Sequence, residues 1–308
     1  MDRACSADHP GPNRADEPLW PGRQGCRPDD GRARHGWAGL VSEASPADPA
    51  GVFGALETHL RARRDSGAKL LVPYVTGGYK GWQRAVEAAA AAGADAIEIG
   101  VPFSDPVMDG PVIQQASTAA LADGATPASV LEEARELDTG VPHAVMTYYN
   151  LCHHQGHERF ASALLDAGVC AAILPDLPYV EAGPWLEAAA ETGLEAILLA
   201  APTTPEDRLA DLCGASRGFV YSVGLLGVTG ERSALARTAT EIAARCLAVT
   251  DRPVLTGVGI GSPSQAVEAC DVSDGVIIGS AVVRTLMSDG PEAVGELVAS
   301  YRTALDHG

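Results

Sequence analysis

From about residue 52 onward the chain repeats one unit, an Ala- and Glu-rich stretch of helical character followed by a short aliphatic run of β type. Such alternation confines the fold to parallel α/β architectures, because a helix between two strands returns the chain to a parallel neighbour. Three units carry a sharper mark: AAGADAIEIG, DAGVCAAILPD and ETGLEAILLA. In each, a glycine ends the helical stretch, two residues follow, and a strand begins. Glycine there supplies the left-handed cap that turns the chain back into the sheet. The apolar runs predict strands at Leu70–Tyr74, Ala96–Gly100, Ala144–Tyr148, Ala171–Leu174, Ala196–Ala200, Phe219–Val223, Val254–Thr256 and Val276–Ile278, with a helix over Val52–Arg64 ahead of them. Eight such units in ~250 residues predict an α/β fold of the (β/α)8 TIM barrel type. A doubly wound open sheet is the alternative. It would put a glycine-rich phosphate loop after the first strand, where TGGYKG is a poor match.

Residues 1–48 are different: they are dense in arginine, acids and proline, without apolar periodicity, and predict a disordered extension ahead of a barrel domain over 49–308. Over all 308 residues, 22 Lys+Arg face 40 Asp+Glu, a net charge of −18. That balance argues against a duplex nucleic-acid binder, which must neutralise phosphates with clustered cations. No apolar run reaches the ~18–20 residues of a membrane span, and the first residues lack the apolar core of a secretory signal. The expectation is a cytoplasmic protein.

The scarce residues limit the chemistry. Lysine occurs only at 69 and 80, so a Schiff-base lysine in the last two-thirds of the chain is excluded. The seven cysteines are scattered without CxxC spacing, which indicates neither a disulfide framework nor a zinc ribbon, and most read as small buried hydrophobes. The tract CHHQGH has the composition of a metal site, but it reads as one loop after strand three, and no histidine lies between 158 and 306. Ligands drawn from several strand ends are therefore missing, and no metal is expected.

In a barrel of this kind, function collects where strands end. Strand two reads AIEIGVPFSDPVMDGP. Alternation sends Ile97 and Ile99 toward the helices and Glu98 into the barrel mouth, where desolvation raises a carboxyl toward a useful acid–base range. A structural Glu–Arg pair inside the barrel is the other reading. Asp109 follows on a loop stiffened by Pro102, Pro106 and Pro111, so the two acids suit a division between proton transfer and anchoring. Glycine-rich segments follow the last three strands: GVTG at 227–230, GVGIGS at 257–262, then Gly279 and Ser280. Backbone N–H groups in such loops cradle a phosphate.

The runs PFSDPVMDGPVIQQAS, MTYYN, LPDLP, APTTPEDRL, GFVYSVGLLGVTG and DGVIIGSA together resemble the tryptophan synthase alpha subunit family over roughly residues 53–287, in order and spacing. The resemblance implies a barrel lyase that cleaves indole-3-glycerol phosphate to indole and glyceraldehyde 3-phosphate. It implies Glu98 as general acid and base, Asp109 as the carboxylate holding the indole N–H, and Tyr221 as the pocket tyrosine beside them. Tyr148 and Asp176 resemble supports of the closing loops, and Thr229 the loop residue that contacts the Asp. Gly230, Gly259, Gly279 and Ser280 match phosphate-binding positions. The family places no cofactor in this chain; pyridoxal phosphate is expected only on a beta-subunit partner, in an alpha2beta2 heterotetramer. The sequence departs from the family at Val258, where an aromatic is frequent, at the apolar SVGLLGVTG, and at TGGYKG, where Gly-Asp-Pro is frequent.

The residue chemistry agrees with that reading. A retro-aldol cleavage needs an electron sink, and indole protonated at C3 is its own. One acid, one carboxylate near N1 and a base for the glycerol hydroxyl then suffice. Two other readings remain: a stand-alone lyase that releases free indole for specialised metabolism, and a non-catalytic partner-binding paralogue. The paralogue would have lost an acid, and both are present.

Overall fold

The computed structural model describes residues 53–224, 232–257 and 259–308. The expectations for the N-terminal extension, for Thr229 and Gly230, and for Val258 lie outside these residues.

Eight strands close into an all-parallel barrel in sequence order: β1 Leu70–Thr76, β2 Ile97–Gly100, β3 His143–Met146, β4 Ala171–Ile173, β5 Glu195–Ala200, β6 Val220–Ser222, β7 Val254–Thr256 and β8 Gly275–Ile278. The last strand pairs with the first, Leu71 opposite Val276. The helices are α1 Ala55–Asp65, α2 Trp82–Ala91, α3 Pro111–Ala122, α4 Pro127–Ala134, α5 Tyr149–Gln155, α6 His157–Asp166, α7 Gly183–Thr192, α8 Glu206–Ala215, α9 Arg232–Leu247, α10 Pro263–Ala269, α11 Ser280–Asp289 and α12 Pro291–His307. The three glycines of the repeated mark, Gly93, Gly168 and Gly193, have φ of +100°, +78° and +82°, the left-handed geometry their position demands. All eight predicted strands are present, and the open sheet is ruled out by the β1–β8 pairing.

Two apolar layers follow from the alternation. Outward-facing Ile97, Ile99 and Val145 pack under the helices, in the same cluster as Trp82, Phe160 and Trp185. Inward-facing Leu70, Val72, Ala144, Ile197 and Phe219 fill the barrel, which Leu56 and Leu60 of α1 plug from the N-terminal end. The plug is fastened by a residue the sequence does not single out. Helix α1 has no side-chain cap of its own. Instead the buried Glu195 carboxylate accepts the Leu56 N–H at 2.8 Å and the Glu57 N–H at 2.9 Å. A Cβ on Gly54 would collide with that carboxylate, so glycine is the residue that fits. Glu195→Ala strands both N–H groups in a buried site. It should cost about 2 kcal/mol, a fall in Tm of about 4–8 °C, measurable by thermal denaturation, without loss of turnover at the far end of the barrel.

Two expectations need correction. Strand three ends at Met146, not Tyr148, because α5 begins at Tyr149, whose N–H is taken by the Asp176 carboxylate at 2.8 Å. CHHQGH is not one loop: His153 and His154 lie in α5, and His157 opens α6, with its Nε2 3.0 Å from the Tyr149 hydroxyl. Among the described residues no group of three His, Cys, Asp or Glu side chains could hold a metal ion.

Candidate active site

Strand β2 delivers Glu98 to the barrel interior, in register with Tyr74 of β1 and Ala144 of β3. Its side chain is 1% exposed, and Oε2 makes no hydrogen bond among the described residues. Among the described residues no arginine pairs with it in the way a structural ion pair would require. An uncompensated carboxyl in such a place favours its protonated form. Burial first, and the nearby Asp109 second, raise Glu98 to about 8.

Asp109 sits at the end of the loop that follows β2, just ahead of Gly110 and of Pro111 at the first position of α3. Tyr148 ties this loop to the Asp109 carboxylate, and the Gln114 side-chain amide donates to the Asp109 carbonyl at 2.9 Å. The Tyr148 hydroxyl donates to Asp109 Oδ2 at 3.1 Å and accepts the Met108 N–H at 3.0 Å. Phe103, from the start of the loop, stacks on the Tyr148 ring with centroids 4.8 Å apart. Burial raises Asp109 to about 6, opposed by the hydrogen bond from Tyr148. Burial likewise keeps Tyr148 a neutral phenol. Asp176 reaches neither carboxylate; it fixes the backbone one residue beyond Tyr148 through the Tyr149 N–H.

Tyr221 enters from the opposite wall, on β6, and its pKa is pushed well above the usual value by burial and then by Glu98. Its ring lies so close to Gly257 that any Cβ there would collide with it. Tyr74 completes the ring of polar groups, and the sequence reading missed it. Its hydroxyl rests on Gly100, where a Cβ would strike it, and burial, then Asp109, keeps it neutral. The signal was available: Tyr74 shares the inward face of β1 with Leu70 and Val72.

Next to β1 in the closed barrel, β8 leads through Gly279 into α11, whose first residue, Ser280, is exposed. The N-terminal N–H groups of a helix have no partners within it and attract anions. The two halves of the site are adjacent, since a Cβ on Gly110 would lie 3.9 Å from the Ser280 hydroxyl. Gly259, with φ +83°, is exposed on the loop after β7. Beside the Asp109 loop opens an apolar cavity of about 160 Å³, lined by Met108, Pro175, Leu177, Leu199 and Val223 among others. The structure therefore brings together Glu98, Asp109, Tyr148 and Tyr221, with Gly279 and Ser280 at the rim and Asp176 behind Tyr148.

A parallel (β/α)8 barrel whose C-terminal face pairs two carboxyls of raised pKa with an open helix N-terminus belongs to the acid–base enzymes built on this scaffold. Comparison with known proteins narrows the class. The sequence model of the tryptophan synthase alpha chain matches residues 60–304. The tryptophan synthase alpha chain of Thermobifida fusca is 42% identical over 266 residues, 81% of this chain and 98% of that one. That of Streptomyces avermitilis is 41% identical over 245 residues, 78% and 88% of the two chains. Among solved structures, Mycobacterium tuberculosis tryptophan synthase superposes with a TM-score of 0.76 at 37% identity, covering 83% of this chain and 100% of that one. The Legionella pneumophila alpha subunit gives 0.74 at 29% identity, with 83% and 100% covered. This chain belongs to the tryptophan synthase alpha chain family. No helix among the described residues is long and apolar enough to cross a membrane.

Proposed function

We propose that the chain is a carbon–carbon lyase of tryptophan biosynthesis, which cleaves indole-3-glycerol phosphate to indole and glyceraldehyde 3-phosphate. The observation that carries this reading is the Glu98–Asp109 pair: one carboxyl buried and protonated at neutral pH, the other near enough to solvent and Tyr148 to ionise first. Glu98 donates its proton to indole C3. The positive charge that develops at N1 is held by the Asp109 carboxylate, which accepts the indole N–H. Glu98, now a carboxylate, takes the proton of the glycerol hydroxyl; the C–C bond breaks and its electrons neutralise the indoleninium. Glu98 ends protonated, as it began, so the cycle closes without metal or lysine. Lys69 is engaged elsewhere, by the carbonyls of Cys270 and Ser273.

The apolar cavity beside Met108 suits the indole, and the N–H groups at Gly279, Ser280 and Gly259 suit the phosphate. Thr229 and Gly230 are assigned by sequence to the same mouth, Thr229 against Asp109 and Gly230 at the phosphate. Tyr148 and Asp176 position the Asp109 loop. The lyase domain is assigned to residues 49–308, supported by the family match from residue 60 and by α1 beginning at Ala55. The partner is a tryptophan synthase beta subunit, in an alpha2beta2 heterotetramer, and it alone carries pyridoxal phosphate. The described cysteines are free thiols, which fits the cytoplasm. An indole-release assay on indole-3-glycerol phosphate, with and without purified beta subunit, tests the reading. Cleavage in both conditions, faster with the partner, supports it; no indole in either removes it.

A further inference from the structure

Thr76 ends β1 and is fully buried, yet its hydroxyl makes no hydrogen bond among the described residues. A buried hydroxyl without a partner is costly, and its place in the fold must account for it. A Cβ on the next residue, Gly77, would strike Val130 and Ile99 of the outer layer, so Gly77 faces outward and Thr76 inward. Thr76 therefore shares the inward face of β1 with Tyr74, one step nearer the mouth. On β2, Glu98 stands opposite Tyr74 and Gly100 opposite Thr76. Glu98 Oε2 is the other buried oxygen without a partner on this pair of strands. Strands lie about 4.8 Å apart and two residues rise about 6.6 Å. The Thr76 and Glu98 Cα atoms are then roughly 8 Å apart, a gap that a glutamate side chain and a threonine hydroxyl span together. Gly100 puts no side chain between them.

We propose that Thr76 is a positioning residue for the lyase reaction: its hydroxyl donates to the Glu98 carboxylate that forms once Glu98 has protonated indole C3. The inference rests on the reaction proposed above. Before that step Glu98 is neutral, held so by burial and by Asp109, and the two groups stay apart. Proton transfer leaves a full negative charge in a pocket that penalises it. The titratable groups that face this charge are Tyr74 of β1, Asp109 of the loop after β2, and Tyr221 of β6. Asp109 repels it. The Tyr74 hydroxyl is seated on Gly100 and the Tyr221 ring on Gly257. Tyr148, after β3, is committed to Asp109 and the Met108 N–H. Thr76 lies close enough to the Tyr74 phenol to favour that group's ionised form, yet the two make no hydrogen bond. Its O–H is therefore uncommitted and turns to Glu98 when the carboxylate appears. Thr76 keeps its proton throughout. The contact is released when Glu98 recovers a proton from the glycerol hydroxyl.

The test compares the full wild-type chain with Thr76→Val and Thr76→Ser. Valine keeps the branched shape and removes an unpartnered hydroxyl, so Tm should hold or rise slightly. The kcat for indole-3-glycerol phosphate cleavage should nevertheless fall roughly 10- to 100-fold, the worth of a hydrogen bond to a charged group. KM should change little. The alkaline limb of the pH profile should move up by about one unit or more, because the ionised form of Glu98 has lost a donor. Thr76→Ser keeps the hydroxyl and should restore most of the rate and the position of the limb. An infrared titration of the protonated-carboxyl band that is absent in Glu98→Gln reads the same shift without turnover. If the wild type releases no indole, the lyase reading falls, and the infrared midpoint still decides whether Thr76 holds the Glu98 carboxylate. A midpoint or a kcat in Thr76→Val equal to that of the wild type overturns the proposal. So does a Thr76→Ser enzyme as slow as Thr76→Val.

Discussion

Glu98→Gln should lower kcat for indole-3-glycerol phosphate cleavage by at least ~10²-fold, the low end of what a positioned acid–base group supplies. The substitution keeps size and shape in a site where the side chain is 1% exposed. It should fold normally, and it removes an ionisable group from a pocket that penalises charge, so stability should hold or rise slightly. KM should change little, because the groups assigned to the phosphate, Gly279 and Ser280, lie at the start of a different helix. Steady-state kinetics with a thermal melt on the same preparation checks both halves. Near-normal turnover would remove Glu98 from the mechanism.

The second large effect is expected at Asp109. In Asp109→Asn the side-chain oxygen still accepts from the Tyr148 hydroxyl, so the loop that Tyr148 and Met108 hold together is preserved. Only the charge is lost. A negative group placed where positive charge develops is worth about 10²–10³ in kcat when removed, and in the proposed reaction Asp109 faces the indole N1 as the cation forms. The expected outcome is a kcat loss of that order with a small change in KM. A variant that loses KM while keeping kcat would instead make Asp109 a binding group with no part in stabilising the cation.

Much of this site is legible from local pattern. Glu98 stands out because strand alternation is strict: Ile97 and Ile99 on one face oblige residue 98 to the other, and the structure places it there. The barrel itself follows from three Gly-capped helix ends and the number of apolar runs, since both are set by short-range geometry. Long-range partnerships are not legible in the same way. Glu195 caps a helix 139 residues earlier in the chain, and nothing in the EAILLA run announces that its first residue serves α1. Tyr74 does not stand out, because an aromatic in a buried strand reads as core, and the β1–β2 register is what sets it opposite Glu98. The polar histidine tract reads as a loop, yet Asp176 from the next unit starts α5 there by taking the Tyr149 N–H. Tertiary hydrogen bonds decide these places, and sequence spacing does not record them.

Burial drives two carboxyls of one mouth to different proton affinities, and the proposed reaction uses one as acid and the other as anion. The pH dependence of kcat/KM for indole-3-glycerol phosphate cleavage tests it most directly. The account predicts a bell. The rate should rise through about 6 as Asp109 ionises and fall above about 8 as Glu98 loses the proton it must donate. Because the groups influence each other, the limbs belong to the pair. The substrate phosphate also titrates near ~6, so the acid limb is assigned by its weakening in Asp109→Asn, and the alkaline limb by its loss in Glu98→Gln. A wild-type profile that is flat across this range, or an alkaline limb that survives in Glu98→Gln, would contradict the account.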